Sequence, residues 1–417
     1  MKDKKVVIIG AGIVGLSTAY FLHKKGIEVT VIDNTDGTDN CSFGNAGYVS
    51  PSHLMPLASP GIISQGLRWM LNSESPFYIK PRLDRDLIRW GLLFKRASTE
   101  SRANAGAEVL CDLAVQSQEL YEQILADENI EAGYNKPGLL MICKTKEELQ
   151  HEVAVVNKAK TFGLEAEELS QQELSKLEPD VEYDMAGAVY FGCDAWMTPH
   201  VFMKAFKERL VAAGIDIRFN TELKQIVKDG AKIDRIITSK GEMEADEFIL
   251  TAGAWTPLLM KQLKVDLPLQ AGKGYSIVLP NPPVMPKLPS ILSEGKVATT
   301  PMLHGLRFAG TMELAGTQLN INPKRVNGIV NCVKEFMPQF RDVDFSNLEP
   351  WAGLRPCTPD GLPYIGRTKR YDNLLVGTGH AMLGWTLGPI TGQLLAQEVT
   401  GDDLAVSSPL LEVERYA

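Results

Sequence analysis

No two cysteines in this 417-residue sequence are spaced as CxxC. The six that occur, Cys41, Cys111, Cys143, Cys193, Cys332 and Cys357, are scattered, so no zinc or other metal site and no redox dithiol is read. Such sparse use fits a reducing compartment, and a cytoplasmic location is expected. No signal peptide is expected, because MKDKK runs directly into VVIIG. No run of about 18 apolar residues occurs, so no membrane-spanning helix is expected. Basic residues are in deficit too. The 43 Lys and Arg against 51 Asp and Glu leave a formal net charge of −8, which argues against a nucleic-acid partner. There is no internal repeat and no low-complexity tract. A hydrophobic content of 44% with 23% charged residues is that of a globular protein, and the length favours two domains.

What is present is concentrated at the start, where residues 5–33 read KVVIIGAGIVGLSTAYFLHKKGIEVTVID. The β-branched run at residues 6–9 is of the kind buried in a parallel sheet. Gly10, Gly12 and Gly15 form GxGxxG, and LSTAYFLHKK reads as an amphipathic helix that Gly26 ends. A second strand covers residues 27–32. Asp33 follows it, 18 residues after Gly15, close to the ~20 expected of a dinucleotide-binding βαβ unit. The glycines permit a tight turn and let a pyrophosphate approach the helix N-terminus. A carboxylate at the ribose disfavours a 2′-phosphate and so NADP. This stretch alone leaves FAD and NAD both open.

Residues 34–53, NTDGTDNCSFGNAGYVSPSH, depart from a nicotinamide Rossmann domain, which would soon supply another helix and strand. A loop this long and this rich in Gly, Asn and Ser is usually functional, and its small residues can lie against a flat ring. Apolar helical patches follow at 62–71 and 87–94. Residues 102–127 read as a long helix, KPGLLMICKT as a strand, and 146–178 as helical and acidic. Thr198 is expected to cap a helix with Pro199 at its first position. Residues 216–251 are β-rich and end in the buried strand FILT. Residues 265–350 alternate strands with Pro-rich turns and one helix near 324–337. The nucleotide domain is thus read as three separated pieces, with a β-rich domain inserted twice.

Five stretches together carry a resemblance: GAGIVGLSTAYFL…VTVID, CSFGNAGYVSP with MPLASPG after it, KGYSI, WAGLRPCTPDGLPYIGRT and TGHAMLGWTLGP. Along nearly its whole length the chain resembles the D-amino-acid oxidase superfamily of flavoproteins, and is most similar to its bacterial D-amino-acid dehydrogenases of small-subunit type. The first stretch is generic. The last two are specific and choose FAD over NAD. The resemblance implies an α/β (α+β) fold: a Rossmann-like FAD-binding domain (1–135, 190–262 and 350–417) with an inserted antiparallel β-sheet substrate domain (136–189 and 263–349). Residues 51–100 would form a helical insertion facing a membrane or the electron acceptor.

The resemblance also implies roles. Gly10, Gly12, Val14 and Gly15 would surround the FAD pyrophosphate. Asp33, where Glu is more usual, would hold the adenosine ribose, and Leu223 would make a backbone contact to adenine. Ser42, Asn45, Ala46 and Gly47 would run beside the ribityl chain and isoalloxazine. Thr251, Ala252 and Gly253 would close over the cofactor, which is expected to be non-covalent. Gly379, Gly384, Trp385 and Thr386 would contact the pyrimidine edge, with His380 beside it. GWTLGPITGQLLAQEV reads as a loop entering a helix whose positive N-terminal end stabilises reduced flavin.

An amino-acid carboxylate calls for a bidentate guanidinium. Arg355 stands in GLRPCTPDG where the family places its substrate-carboxylate arginine; an ion pair with Asp360 is the alternative. Tyr275 in GKGYSI is expected to close over the substrate or donate its phenol to that carboxylate, with strand packing as the alternative. Lys273, on the same strand face, is expected near flavin N5, or else in a salt bridge. No acid/base pair stands out. The chemistry implied is hydride transfer from the α-carbon to flavin N5, followed by hydrolysis of the imine to a 2-oxo acid and ammonia. The partners implied are a small amino or imino acid and a quinone-type acceptor, with a peripheral position on the inner face of the plasma membrane. The oligomeric state stays open. The alternative functions are a D-proline or cis-4-hydroxy-D-proline dehydrogenase, an oxygen-using enzyme like glycine or sarcosine oxidase, and a non-catalytic flavin-carrying subunit of a hetero-oligomeric dehydrogenase.

Overall fold

The computed structural model describes residues 4–70 and 74–416, so Leu71, the last residue of the first apolar patch, lies outside the described residues. One sheet has six strands in the order Tyr364–Arg367, Leu374–Thr378, Glu247–Leu250, Lys5–Ile9, Glu28–Ile32 and Asp216–Arg218. All neighbours pair parallel except Tyr364–Arg367 with Leu374–Thr378. Lys5–Ile9 is central because VVII has no polar side chain to keep wet. The helix Ile13–Lys24 follows it, and Gly26, at φ +75°, turns the chain into the next strand. This helix is buried nearly all round rather than amphipathic, since the helices Pro199–Ala212 and Gly388–Thr400 cover its outer side. Gly392 permits the second approach: a Cβ there would stand 2.6 Å from the Ser17 backbone.

The other large sheet has nine strands and is mostly antiparallel. Its path runs Trp351–Cys357, Gln270–Leu279, Gly305–Leu314, Val297–Met302, Ser290–Leu292, Leu139–Cys143, Gly187–Phe191 and Ala166–Leu169. The ninth strand, Phe77–Ile79, pairs beside Gly305–Leu314, so residues 51–100 are not purely helical. The helix Pro323–Phe336 packs on one face against Tyr275, Ile277 and Phe308.

The structure redraws two boundaries and one cap. Trp351–Cys357, read from sequence as part of the FAD-binding piece, pairs residue by residue with Gln270–Ser276 of the second sheet. Residues 146–178 hold two helices, Lys146–Thr161 and Gln171–Leu177, separated by the strand Ala166–Leu169. Gly163, at φ +76°, ends the first, and a Ser170–Glu173 capping box starts the second. Thr198 does precede the helix Pro199–Ala212, but its hydroxyl accepts from Leu303 N (3.2 Å) instead of capping.

Candidate active site

The glycine turn is shaped for close approach. Gly10 has φ +116°, and a Cβ at Gly15 would stand 1.8 Å from the Gly10 carbonyl oxygen. Thr251 Oγ1 donates to Ile9 O and Gly10 O (3.1 and 3.0 Å), which locks the turn to the neighbouring strand. Gly12 has no side chain to cap the helix, and a Cβ there would first meet Ser42 Oγ at 3.4 Å. Ser42 Oγ itself accepts from Ile13 N (3.0 Å). Val14 turns its side chain into the core, leaving its backbone at the helix end.

At the second strand's end, Asp33 Oδ2 accepts from Ala11 N (2.7 Å), and Oδ1 accepts from Thr35 N (2.8 Å) and Oγ1 (2.6 Å). Two carboxylate oxygens offer about four lone-pair positions, so capacity remains for a ribose hydroxyl. Thr221 N donates to Asp33 O (2.7 Å), which brings Leu223 to the same strand end. Gly253, at φ +53°, has open space where a side chain would stand. A helix start whose cap residue has no side chain, an open-fronted glycine and this acid together fit the pyrophosphate and ribose of FAD.

The loop from Ser42 to Gly47 is carried by the second sheet through its carbonyls. Ser276 Oγ donates to Gly44 O (3.4 Å), and Thr300 Oγ1 to Ala46 O (2.8 Å). Arg307 Nη1 donates to Phe43 O (3.3 Å) and Asn45 O (2.5 Å). Asn45 Oδ1 accepts from Gly47 N (2.8 Å), and Gly47 takes φ +85°. Sequence reasoning missed Arg307. Its one signal is a cation in GLRFAGTMEL, a strand whose residues are all buried.

Arg355 lies on this same face. Gly272 is its cross-strand partner, and a Cβ at Gly274 would fall 2.0 Å from Arg355 Nη1, so the missing side chain makes room for the guanidinium. Arg355 Nη1 donates to Thr311 O (2.7 Å). Thr311 sits in a bulge: Lys273 pairs with Glu313 and Tyr275 with Gly310, so Thr311 and Met312 together oppose Gly274. Its φ of +67° is costly for a β-branched residue, and the bulge turns its carbonyl toward the arginine. Among the described residues no carboxylate pairs with Arg355. Asp360, the alternative partner, is bound by Arg415 instead, through Nε and Nη2 at 2.8 Å each. Burial pulls the Arg355 pKa below the usual guanidinium value.

Gly274→Ala is expected to leave the melting temperature nearly unchanged, because the colliding atom is the end of a flexible side chain. The guanidinium must swing away, so KM for an amino acid should rise about tenfold, more than kcat falls. Steady-state kinetics beside a thermal melt checks this; a KM equal to wild type would mean that Arg355 is held elsewhere.

The profile of the family described as FAD dependent oxidoreductase matches residues 5–398. The chain belongs to that family. It is 33% identical to the D-amino acid dehydrogenase of Paramagnetospirillum magneticum over 419 residues, covering 99% of each chain. To the D-amino acid dehydrogenase of Vibrio vulnificus it is 32% identical over 422 residues, covering 99% of this chain and 100% of that one. In fold it is similar to glycine oxidase from Geobacillus kaustophilus, with a TM-score of 0.80 at 20% identity over 99% of this chain and 100% of that one. It is likewise similar to L-proline dehydrogenase from P. horikoshii, with a TM-score of 0.74 at 19% identity over 99% and 98% of the two chains.

Not every expected residue reaches this member's site. Lys273 and Tyr275 do share a strand face, but it is the face opposite Gly274 and Arg355. Tyr275 is packed beside Phe308 and Phe336, and its hydroxyl donates to Glu313 Oε2 (2.6 Å). Lys273 Nζ donates to Asn320 O (2.8 Å) and lies 3.7 Å from Glu313. Both are taken up inside the nine-stranded sheet, on the face away from Arg355.

Trp385 packs against Tyr121 (tilted) and edge-on to Phe202 in the core, and Thr386 Oγ1 donates to Tyr48 O (3.0 Å). They lead into the helix Gly388–Thr400, whose start Leu387 leaves uncapped. Gly379, at φ +87°, is packed tightly on Thr358, whereas Gly384 has an ordinary backbone. His380 is buried, and its pKa is lowered to about 3 by burial. Thr391 gives its own proton to Leu387 O (2.8 Å), so His380 Nε2 is the donor to Thr391 Oγ1 (2.9 Å) and the ring is neutral.

Proposed function

We propose that this enzyme oxidises D-amino acids to 2-oxo acids and ammonia and hands the electrons to a quinone-type acceptor. The observation that carries the reading is Arg355, a half-buried guanidinium with one edge on Thr311 O and, among the described residues, no carboxylate of its own. The full-length relatives named D-amino acid dehydrogenase support the choice of substrate. The substrate carboxylate takes the free edge of Arg355 as a two-point contact, which fixes the α-carbon relative to the loop at Ser42–Gly47. FAD, when bound, supplies the hydride-accepting centre. Burial holds the His380 pKa far below the usual imidazole value, so His380 is not the base; the substrate is taken up with a neutral amine, whose lone pair forms the imine.

Dye-linked turnover across D- and L-amino acids, glycine, sarcosine and prolines tests the reading. D-amino acids are expected to lead. Peroxide formed in air with glycine or sarcosine would replace it by the oxidase, and a preference for D-proline by the cyclic-amine enzyme.

Contact with a membrane surface belongs to the same proposal. Among the described residues no helix is long and apolar enough to cross a membrane. The helix Ile62–Trp69 exposes Ile63 and Leu67, and the helix Arg85–Ala97 exposes Ile88 and Leu92, with Arg68, Lys95 and Arg96 on the same helices. That mixture suits an interface with anionic lipid. Trp90 does not take part: it is buried, donating to Cys357 O (2.9 Å). The wild-type enzyme is expected to float with anionic vesicles, and Leu67→Glu with Leu92→Glu to reduce the bound fraction about tenfold. Equal flotation of both proteins would remove the membrane contact.

A further inference from the structure

We infer that the groove beside Arg307 is a docking site for a planar, uncharged carbonyl compound, a quinone being the fitting class. The inference rests on the acceptor reading above and gives that acceptor a place. The groove has a volume of about 280 Å³ and is lined by Arg307, Trp351, Phe43, His200, Asp39 and Glu349 among others.

Arg307 is only 6% exposed. Its Nη1 is spent on the carbonyls of Phe43 and Asn45. Its Nε is enclosed and unpartnered. Among the described residues Nη2 finds no acceptor either, and it is not one of the enclosed atoms of this groove-lining residue. A guanidinium with unmade hydrogen bonds inside a protein is costly, and a ligand oxygen on Nη2 offsets that cost.

The surrounding charges decide which kind of oxygen. Asp39 and Glu349 outnumber the one arginine, and burial together with Arg307 lowers the His200 pKa, which keeps that ring neutral. An anion would meet net negative charge here; a neutral carbonyl accepts from Nη2 without that penalty. Asp39 accepts from Trp351 Nε1 (3.0 and 3.1 Å to its two oxygens), which holds the indole in place as a flat wall for a ring. The groove also includes Gly44, two residues from Ser42 at the helix start, so a ligand here stands beside the segment expected to flank the flavin.

The test uses the FAD-loaded enzyme with duroquinone, compared with an artificial dye as acceptor. Val278→Phe fills the groove without touching Arg355, and Thr38→Trp does so from an exposed loop. Each is expected to raise KM for duroquinone about tenfold while the dye-linked rate stays within about twofold. Saturation-transfer NMR of the duroquinone methyls should give a signal with wild type and lose it with both variants. Wild-type KM and NMR signal in both variants would overturn the groove assignment. So would loss of FAD from Val278→Phe, because the groove would then be part of the cofactor site. A wild-type enzyme that reduces the dye but not duroquinone would instead sink the acceptor reading.

Discussion

Arg355→Met is expected to raise KM for amino acids about a hundredfold while the protein keeps its FAD and its melting temperature within a few degrees. Two charge-assisted N–H···O contacts to a carboxylate contribute roughly 3 kcal/mol or more together, and about 1.4 kcal/mol is tenfold in affinity. Inside the protein the substitution removes one hydrogen bond, to Thr311 O, which costs about 1 kcal/mol. The substrate therefore loses far more than the fold does. Arg355→Lys should recover only part of the affinity, since an ammonium cannot make the two-point contact. Dye-linked kinetics with a thermal melt decides the matter, and near-wild-type KM and kcat would take Arg355 out of the site.

Gly12→Ala and Gly15→Ala are expected to fail in different ways, although both lie in one motif. At Gly15 the new Cβ would sit 1.8 Å from Gly10 O and 2.8 Å from Thr251 Oγ1, so the strand-to-helix turn must open. Overpacking of that kind costs about 1–3 kcal/mol and should lower the melting temperature of the FAD-free protein by several degrees. Gly12 has φ −76° and ψ −178°, a conformation open to any residue, with Ser42 Oγ at 3.4 Å as the first neighbour of the Cβ. Its methyl would stand where the pyrophosphate approaches. Gly12→Ala should melt like wild type when stripped of FAD, yet bind FAD about tenfold more weakly or worse. Thermal melts of the apoproteins and fluorescence titration with FAD separate the two effects. A Gly12→Ala protein with normal FAD affinity would show that the cofactor does not come close to this turn.

The period of two in GKGYSI correctly put Lys273 and Tyr275 on one strand face. Nothing local says which face of the sheet carries Arg355, and it is the face of the neighbouring Gly272 and Gly274. The bulge at Thr311 was hidden for a related reason: a threonine carries no mark of positive φ, and the offset exists only between paired strands. Arg307 and its groove depend on carbonyls more than 260 residues earlier in the chain. Asp360 could not be cleared as the partner of Arg355 until Arg415, 55 residues on, was seen to bind it.

The resemblance carried by its motifs chose FAD and put Arg355 forward; by itself the sequence determined the βαβ unit, its glycine turn and the acid at Asp33. These rest on short-range spacing and on residue types whose chemistry is local. Only the tertiary structure decided that among the described residues no acid pairs with Arg355, that Lys273 and Tyr275 turn away from it, that Trp385 packs in the core and that Thr386 bonds Tyr48 O. Each of those is a question of which distant groups share a space. A buried charge or hydroxyl takes whichever partner folding brings within hydrogen-bond reach, and that choice is made across strands and not along the chain.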